Sequence, residues 1–401
     1  MTTQSPGRVR ELDVLRGFAL SGILLVNAQL MAGPYTAFGG GPGATVLDRA
    51  VAWVVTALVT TKFSLLFSFL FGYSFVLQRR SARRAGAAFA PRHLRRTAGL
   101  FGLGLLHAVL LFPGDILMTY AVLALFLYGL RKLTPRAALR LAAGLVVALA
   151  ALLLAYGLLN VALTEPLTPA EYAPRVAHTV ADYRGGALSV ISAHLRELPS
   201  MLRADLLYAP DLLAAFLAGL AAAETRLVER RGRDRRWLRG VVVRWLPVGL
   251  AGGIVTACCA GRPLDSRWFL VGHAVAVLTA PALTASYACG LLLLVRGRAA
   301  DVLAAAGRMA LTHYLTQSLV LALVFTGYGL ALYDRTGTAA VVAGCLVLYG
   351  LQLAVGHALP ARVRYGPAEL LLRTVTRARR PGPEGPASPG ERRSADSRPV
   401  R

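Results

Sequence analysis

The sequence predicts an all-α, polytopic membrane helix bundle of about ten transmembrane helices with both termini cytoplasmic, and three observations predict it. Of 401 residues, 56% fall in the apolar set and only 16% are charged, with a mean hydropathy of +0.55. Soluble chains are about 45–50% apolar even with glycine counted and about 25% charged, so a water-soluble domain of this size could not hide so much apolar surface. Second, apolar runs of the length that spans a roughly 30 Å hydrocarbon core recur along the whole chain. Third, arginines cluster between those runs rather than within them.

The runs lie near 12–31, 62–78, 94–112, 115–131, 137–163, 206–227, 238–260, 268–295, 302–330 and 338–360. The first follows Arg8 and Arg10, as a signal peptide would. Glu11 and Asp13 spoil a basic n-region and no A-x-A site follows, so a retained first helix is expected. Segment 46–61 is apolar enough to lie in the membrane, and charge decides whether it crosses. If it does not, the stretch 79–96, with its seven arginines, lies on the N-terminal side. Segments on that side then carry 33 basic residues against 9 on the other, a bias that places them in the cytoplasm. Segment 46–61 becomes an outer re-entrant or interfacial helix. Lys62 is expected at the outer rim, where its long side chain can snorkel. The outer loop 164–205 carries Pro166, Pro174 and Pro199, is too short for a core of its own, and is expected to fold over the outer mouth. Residues 1–377 read as a single transmembrane domain. Residues 378–401, rich in Pro, Gly, Ser and Arg, read as a disordered basic cytoplasmic tail. No repeat of 20–50 residues and no inverted repeat is evident.

A net charge of +24 would suggest nucleic acid in a soluble protein. Here the basic segments act as topology determinants and lack interleaved aromatics, so the expected partner is the lipid bilayer and no nucleic acid. The four cysteines, Cys258, Cys259, Cys289 and Cys345, sit in apolar segments without ligand spacing and read as packing residues; no metal is expected. No Walker motif, HExxH or nucleophile elbow is present.

Ionisable groups inside spans are costly and mark candidate sites. In the first run, Asp13 and Arg16 are three residues apart and share a helix face. Asn27 returns to nearly that face three turns later, about 16 Å further along. The charged pair also reads as a headgroup anchor at the helix start. In LLHAVLLFPGDILMTY, His107 needs a polar partner, and Asp115, after Pro113 and Gly114, can supply it or serve as a helix N-cap. A carboxylate beside an imidazole orients the ring and raises its basicity, as a general base requires. In GRMALTHYLTQSL, Arg308, Thr312 and Thr316 recur every four residues, with His313 and Gln317 in a second row. Arg308 and Arg16 both lie toward the cytoplasmic side, where two guanidinium groups suit phosphate or carboxylate.

Taken in order, LDVLRGFALSGILLVN, KFSLLFSFLFGYSF, GLLHAVLLFPGDILMTYAVL, AAGRMALTHYLTQSLV and RYGPAELLLR resemble the YeiB-like family of bacterial membrane proteins (domain of unknown function 418) over about residues 10–377. That family is similar to a wider group of transmembrane acyltransferases that includes the heparan-type N-acetyltransferases, with Leu12–Gly17 and Val26–Asn27 as the shared mark. Residues 28–92 lack the outer-loop histidine of the heparan-type enzymes, and His313 stands where the family usually has Asn. The resemblance implies a multi-pass protein of the bacterial plasma (inner) membrane that moves an acyl group from cytoplasmic acyl-CoA, its co-substrate, to an extracytoplasmic small-molecule or glycan acceptor. On that reading Arg16 and Arg308 hold the CoA phosphates, Asn27 orients the thioester or oxyanion, and His107 with Asp115 deprotonates the acceptor. Asp13, Thr312, His313 and Gln317 complete the substrate pocket. The alternatives are a transporter of a small anionic or zwitterionic solute, or a non-enzymatic membrane assembly protein.

Overall fold

Each apolar run becomes a helix or a helix pair, and short capping signals set where several of the helices begin. The computed structural model describes residues 9–34, 43–166, 169–261, 264–358 and 366–377; the expected disordered tail, 378–401, lies outside them. The described residues contain no strand. In order the helices are α1 (Arg10–Ala32), α2 (Val46–Leu58), α3 (Lys62–Arg84), α4 (Phe89–Leu110), α5 (Ile116–Gly129), α6 (Pro135–Leu163), α7 (Pro169–Arg184), α8 (Ala187–Glu224), α9 (Leu227–Arg231), α10 (Arg235–Ala260), α11 (Phe269–Leu294), α12 (Gly297–Arg308), α13 (Ala310–Phe325), α14 (Thr338–Ala358) and α15 (Pro367–Arg377). Thr45, Asp115, Thr134 and Asp234 cap α2, α5, α6 and α10 by accepting a backbone N–H of the first turn. At Asp234, the Trp237 N–H and the Arg231 guanidinium hold the carboxyl below its usual range.

By length and composition, seven elements can cross a membrane: α1, α2 with α3, α6, α8, α10, α11 and α14. Helices α5 and α13 are apolar but shorter, at 14 and 16 residues. The protein is a multi-pass membrane helix bundle. Its outward surface carries large apolar side chains, such as Val147 and Leu159 on α6 and Val347 and Leu351 on α14, as a surface bathed in lipid tails should.

Contacts sort the connecting segments between two ends. At one end, Arg10 bonds Asp301, Arg233 bonds Glu11, and Arg79 pairs with Glu224 and donates to the Arg131 carbonyl. This end gathers the start of α1 and the arginine-rich connections. At the other, the Asp334 N–H donates to the carbonyl of Ala32, Arg184 to that of Tyr333, and the Ala339 N–H to Asp48. The segment expected as the outer loop 164–205 is helical, formed by α7 and the first half of α8. At 38 residues α8 is about 57 Å long, so its first half projects past any 30 Å core. That half and α7 pack on this second end: Tyr183 stacks on Tyr333, and His194 meets the Val109 carbonyl.

One expected span is interrupted, and the expected outer segment 46–61 joins the span that follows it across a second break. The run 302–330 breaks at Met309, where φ −110° and ψ 31° separate α12 from α13. The second break, at 59–61, corrects the expected position of Lys62. Lys62 is not at a rim: it is 2% exposed, its carbonyl accepts from Thr284 in the interior of α11, and its neighbour Phe63 packs on Gly22 midway along α1. The Lys62 ammonium turns back to the Thr56 carbonyl, 3.2 Å away, where the C-terminal end of a helix favours a cation. Helices α2 and α3 thus meet inside the bundle as the two parts of one interrupted rod. Irregular backbone at such depth is tolerated where protein buries it, as here.

Candidate functional site

A cavity of about 890 Å³ opens among α1, α3, α4, α5, α12, α13 and α15. At the arginine-rich end its wall carries Arg16, Arg92, Arg96, Arg308 and Arg373, with Glu369 as the one carboxylate among the described residues. Deeper, the wall is Leu100, Ile116, Phe67, Phe71, Tyr120 and Tyr314.

Each cation is set by its element. Arg16 donates to Asp13 Oδ1 (2.7 Å) and to Ser74 Oγ on α3 (2.6 Å), so two anchors fix one guanidinium at the mouth. Helices α1 and α12 can approach because Gly17 and Gly307 face each other's backbone: a Cβ on Gly307 would lie 1.8 Å from the Asp13 carbonyl oxygen, and one on Gly17 2.2 Å from that of Leu303. This contact brings Arg308, the last residue of α12, to the cavity that Arg16 lines. The Arg96 guanidinium lies 5.9 Å from the centre of the Phe71 ring, a cation–π arrangement. Glu369 is spent on structure. It accepts from the N–H groups of Leu311 and Thr312 and from the Thr312 hydroxyl (2.7, 3.2 and 2.5 Å), capping α13 and docking α15. The mouth is therefore strongly cationic, and the deeper wall is apolar and aromatic.

Behind the deep end lies a second polar group. His107 Nδ1 is 2.9 Å from Asp115 Oδ1. The other carboxylate oxygen accepts the Met118 N–H as the cap of α5, and the Tyr314 hydroxyl donates to Oδ1 at 3.3 Å. The Tyr314 and His107 rings are 5.0 Å apart. Gly104 makes room for the carboxylate: a Cβ there would sit 2.5 Å from Asp115 Oδ2. On the far side, Thr119 donates to Asp205 of α8 at 2.5 Å. Tyr314 is thus the link between the cavity wall and a buried histidine–carboxylate pair.

The structure brings some of the sequence-derived candidates together and not others. Arg16 and Arg308 share the cavity. Asp13 stands behind Arg16 and is not part of the wall. His107 and Asp115 are in contact but reach the wall only through Tyr314 and Ile116. Asn27 does not line the cavity. Thr312 anchors α15 through Glu369, while His313 and Gln317 turn to α14: the Gln317 amide donates to Gln352 Oε1 at 2.7 Å, and Gln352 donates to the His313 carbonyl. Sequence reasoning missed Arg92, Arg96, Arg373 and Tyr314. All three arginines count in the sequence only as topology charges. Tyr314 lay unremarked in ALTHYLTQ, where spacing alone gave no sign of its partner.

A model of the family described as "Protein of unknown function (DUF418)" matches residues 222–379. The chain is 31% identical to "Uncharacterized protein YxaH" of Bacillus subtilis (strain 168), covering 92% of this chain and 94% of that protein. It is 27% identical to "Uncharacterized protein YeiB" of Escherichia coli (strain K12), covering 91% and 95%. It is 26% identical to an "Uncharacterized 39.9 kDa protein in amylase 3'region" of Bacillus acidopullulyticus, over 92% and 94%. No solved structure matches.

Proposed function

The chain belongs to the DUF418 family, and from that premise we propose that it is a transmembrane acyltransferase using an acyl-CoA donor. One observation carries the reading: a single cavity has five arginines at its mouth and an aromatic, aliphatic wall below them. That shape suits an amphiphile with a polyanionic head and an apolar, thioester-bearing arm. Arginine forks bind phosphates in pairs of hydrogen bonds, and the apolar depth takes the arm out of water. Arg16 and Arg308 would hold the head.

In the transfer, an acceptor hydroxyl or amine attacks the thioester carbonyl. The C–S bond breaks, a C–O or C–N bond forms, and the acceptor gives up one proton. Tyr314 is placed to take that proton as its own passes to the His107–Asp115 pair; the proton then returns to the leaving thiolate. Asn27 has no part in this assignment, because it is off the wall. The arginine-rich end would face the cytoplasm of a bacterial cell, in the plasma membrane, with the acceptor, a small molecule or glycan, reaching from the opposite face.

The test uses membranes containing the protein and labelled acetyl-CoA, following free CoA and label retained by lipid, glycan or protein, with His107→Ala and Arg16→Ala controls. Transfer that vanishes in both controls supports the reading. Full transfer in both overturns it. A carrier for a small anionic solute is the second reading, favoured by the two interrupted rods at 59–61 and Met309, since carriers build their sites from discontinuous helices. Solute uptake into vesicles holding only this protein, with no acyl donor, would favour it.

A further inference from the structure

A second cavity, of about 650 Å³, lies on the opposite face of α3 from the arginine cavity. Leu65, Leu66 and Phe69 line it, whereas Phe67, Leu70 and Phe71 line the first. Its wall is almost wholly apolar, built from α1, α3, α6 and α8 to α11. It runs from Gly232 and Trp237 at the arginine-rich end to Pro281 and Thr284 in the interior of α11. Leu139, Trp245 and Leu278 line it and are 51%, 44% and 53% exposed on the outward surface, so the opening faces lipid rather than water.

Set in this wall is one carboxyl, Asp211 of α8. It is 7% exposed, and its Oδ1 has no hydrogen-bond partner. Its environment offers no ion-pair partner among the described residues, and the Thr284 hydroxyl on this wall is committed to the Lys62 carbonyl. A buried acceptor left without a donor is costly, and helices exposed to lipid keep such groups at functional positions. The volume lies within the 300–1,000 Å³ typical of small-molecule sites.

We infer that this cavity binds a membrane-dissolved ligand with an aliphatic body and one hydrogen-bond donor, a long-chain alcohol or amine, whose donor meets Asp211. The lipid-facing opening supplies the route, the apolar wall takes the body, and the unmet carboxyl oxygen selects for the donor. A phosphodiester or an ionised fatty acid brings a negative charge and no donor for the unmet oxygen. Because α3 divides the two cavities, this site stands whether or not the arginine cavity holds acyl-CoA.

The test uses the full-length protein in nanodiscs and brominated C12 probes that quench Trp237 and Trp245 at the cavity wall: the alcohol, the amine and the plain alkane. The expected result is that alcohol or amine quenches with an apparent Kd about tenfold below that of the alkane, and that Asp211→Leu removes this preference while alkane binding persists. Tighter binding of the amine than of the alcohol identifies an ionised carboxylate as the partner; the reverse identifies the neutral acid. Ala218→Phe, which fills the wall without touching the carboxyl, should weaken all three probes and stands in if Asp211→Leu fails to fold. Equal affinity of alcohol, amine and alkane for the wild type overturns the inference. So does a donor preference that survives in Asp211→Leu, or binding unaffected by Ala218→Phe.

Discussion

His107 Nδ1 lies 2.9 Å from Asp115 Oδ1, with both side chains 1% exposed. That carboxylate has three tasks at once, since it also caps α5 through Met118 and receives the Tyr314 hydroxyl. Removing the carboxylate leaves the buried Met118 N–H and Tyr314 hydroxyl without their acceptor, at about 1–3 kcal/mol each, so Asp115→Ala should destabilise the protein by about 2–5 kcal/mol. Asp115→Asn keeps an oxygen for the Met118 N–H and should cost about 1–2 kcal/mol. Tyr314→Phe should cost about 1 kcal/mol. The midpoint of unfolding in mixed micelles titrated with SDS reads all three. Equal effects of the Ala and Asn substitutions would deny the capping role.

The cationic mouth predicts how donor binding responds to charge. Arg16→Ala and Arg308→Ala should each weaken binding of a non-hydrolysable acyl-CoA analogue by about tenfold, the value of one charged hydrogen bond. Raising the salt should weaken binding to the wild type more than to either variant, because screening acts on the charges already removed. Arg16→Lys should not restore affinity: separate guanidinium nitrogens reach Asp13 and Ser74, and an ammonium cannot keep that fork. Equilibrium binding of a labelled analogue at two salt concentrations measures each effect. Affinity that ignores salt would sink the polyanionic-head assignment.

Much of the bundle was legible because burial in lipid needs long apolar runs, and each run became a helix or a helix pair. The Asp13–Arg16 pair was legible because spacing of three fixes neighbours within one helix. The contact of His107 with Asp115 was legible because a five-residue turn, 111–115, joins their helices. Interruptions were not legible. Hydropathy averages over a window: it separates 46–61 from 62–78 but does not tell a rim from the bundle interior, and Lys62 ends mid-bundle. At Met309 the change of direction takes Arg308 out of register with Thr312, so a row drawn on one straight helix splits between the cavity and the contact with α15. A helix wheel gives the face of His313 and Gln317 but not the neighbour that face meets, which is α14. The convergence of Arg92, Arg96 and Arg373 comes from packing between elements far apart in sequence, where no local pattern operates.

The crossing of α1 over α12 depends on two glycines, and their replacement should be costly. Gly307→Ala or Gly17→Ala must push the backbones apart, since each new Cβ would overlap a carbonyl oxygen. Overpacking of this kind costs 1–3 kcal/mol or more, and here it should also separate Arg16 from Arg308 and weaken donor binding. Gly102 and Gly144 are the controls: both are helical with no atom within 4 Å of the added Cβ, so alanine there should be neutral or stabilising by up to about 1 kcal/mol. SDS unfolding midpoints of the four variants make the comparison. Similar effects at all four would show that the close approach does not hold the two helices together.

The break between α2 and α3 makes a prediction about depth. In a chain freed of Cys258, Cys259, Cys289 and Cys345, single cysteines can be probed with a membrane-impermeant maleimide. Leu47→Cys, on a residue 63% exposed at the end opposite the N-terminus, should react in intact cells. Ala85→Cys, at the arginine-rich end, should react only after permeabilisation if, as we propose, that end faces the cytoplasm. Lys62→Cys separates the two placements of that residue. At an outer rim it would react as Leu47→Cys does. Folded against Thr56 and Thr284, 2% exposed, it should stay unlabelled in intact and permeabilised cells alike and react only once the protein is unfolded. Labelling of Lys62→Cys in intact cells would show that α2 lies on the membrane surface instead of entering the bundle, and labelling of Leu47→Cys and Ala85→Cys from the same side would overturn the crossing altogether.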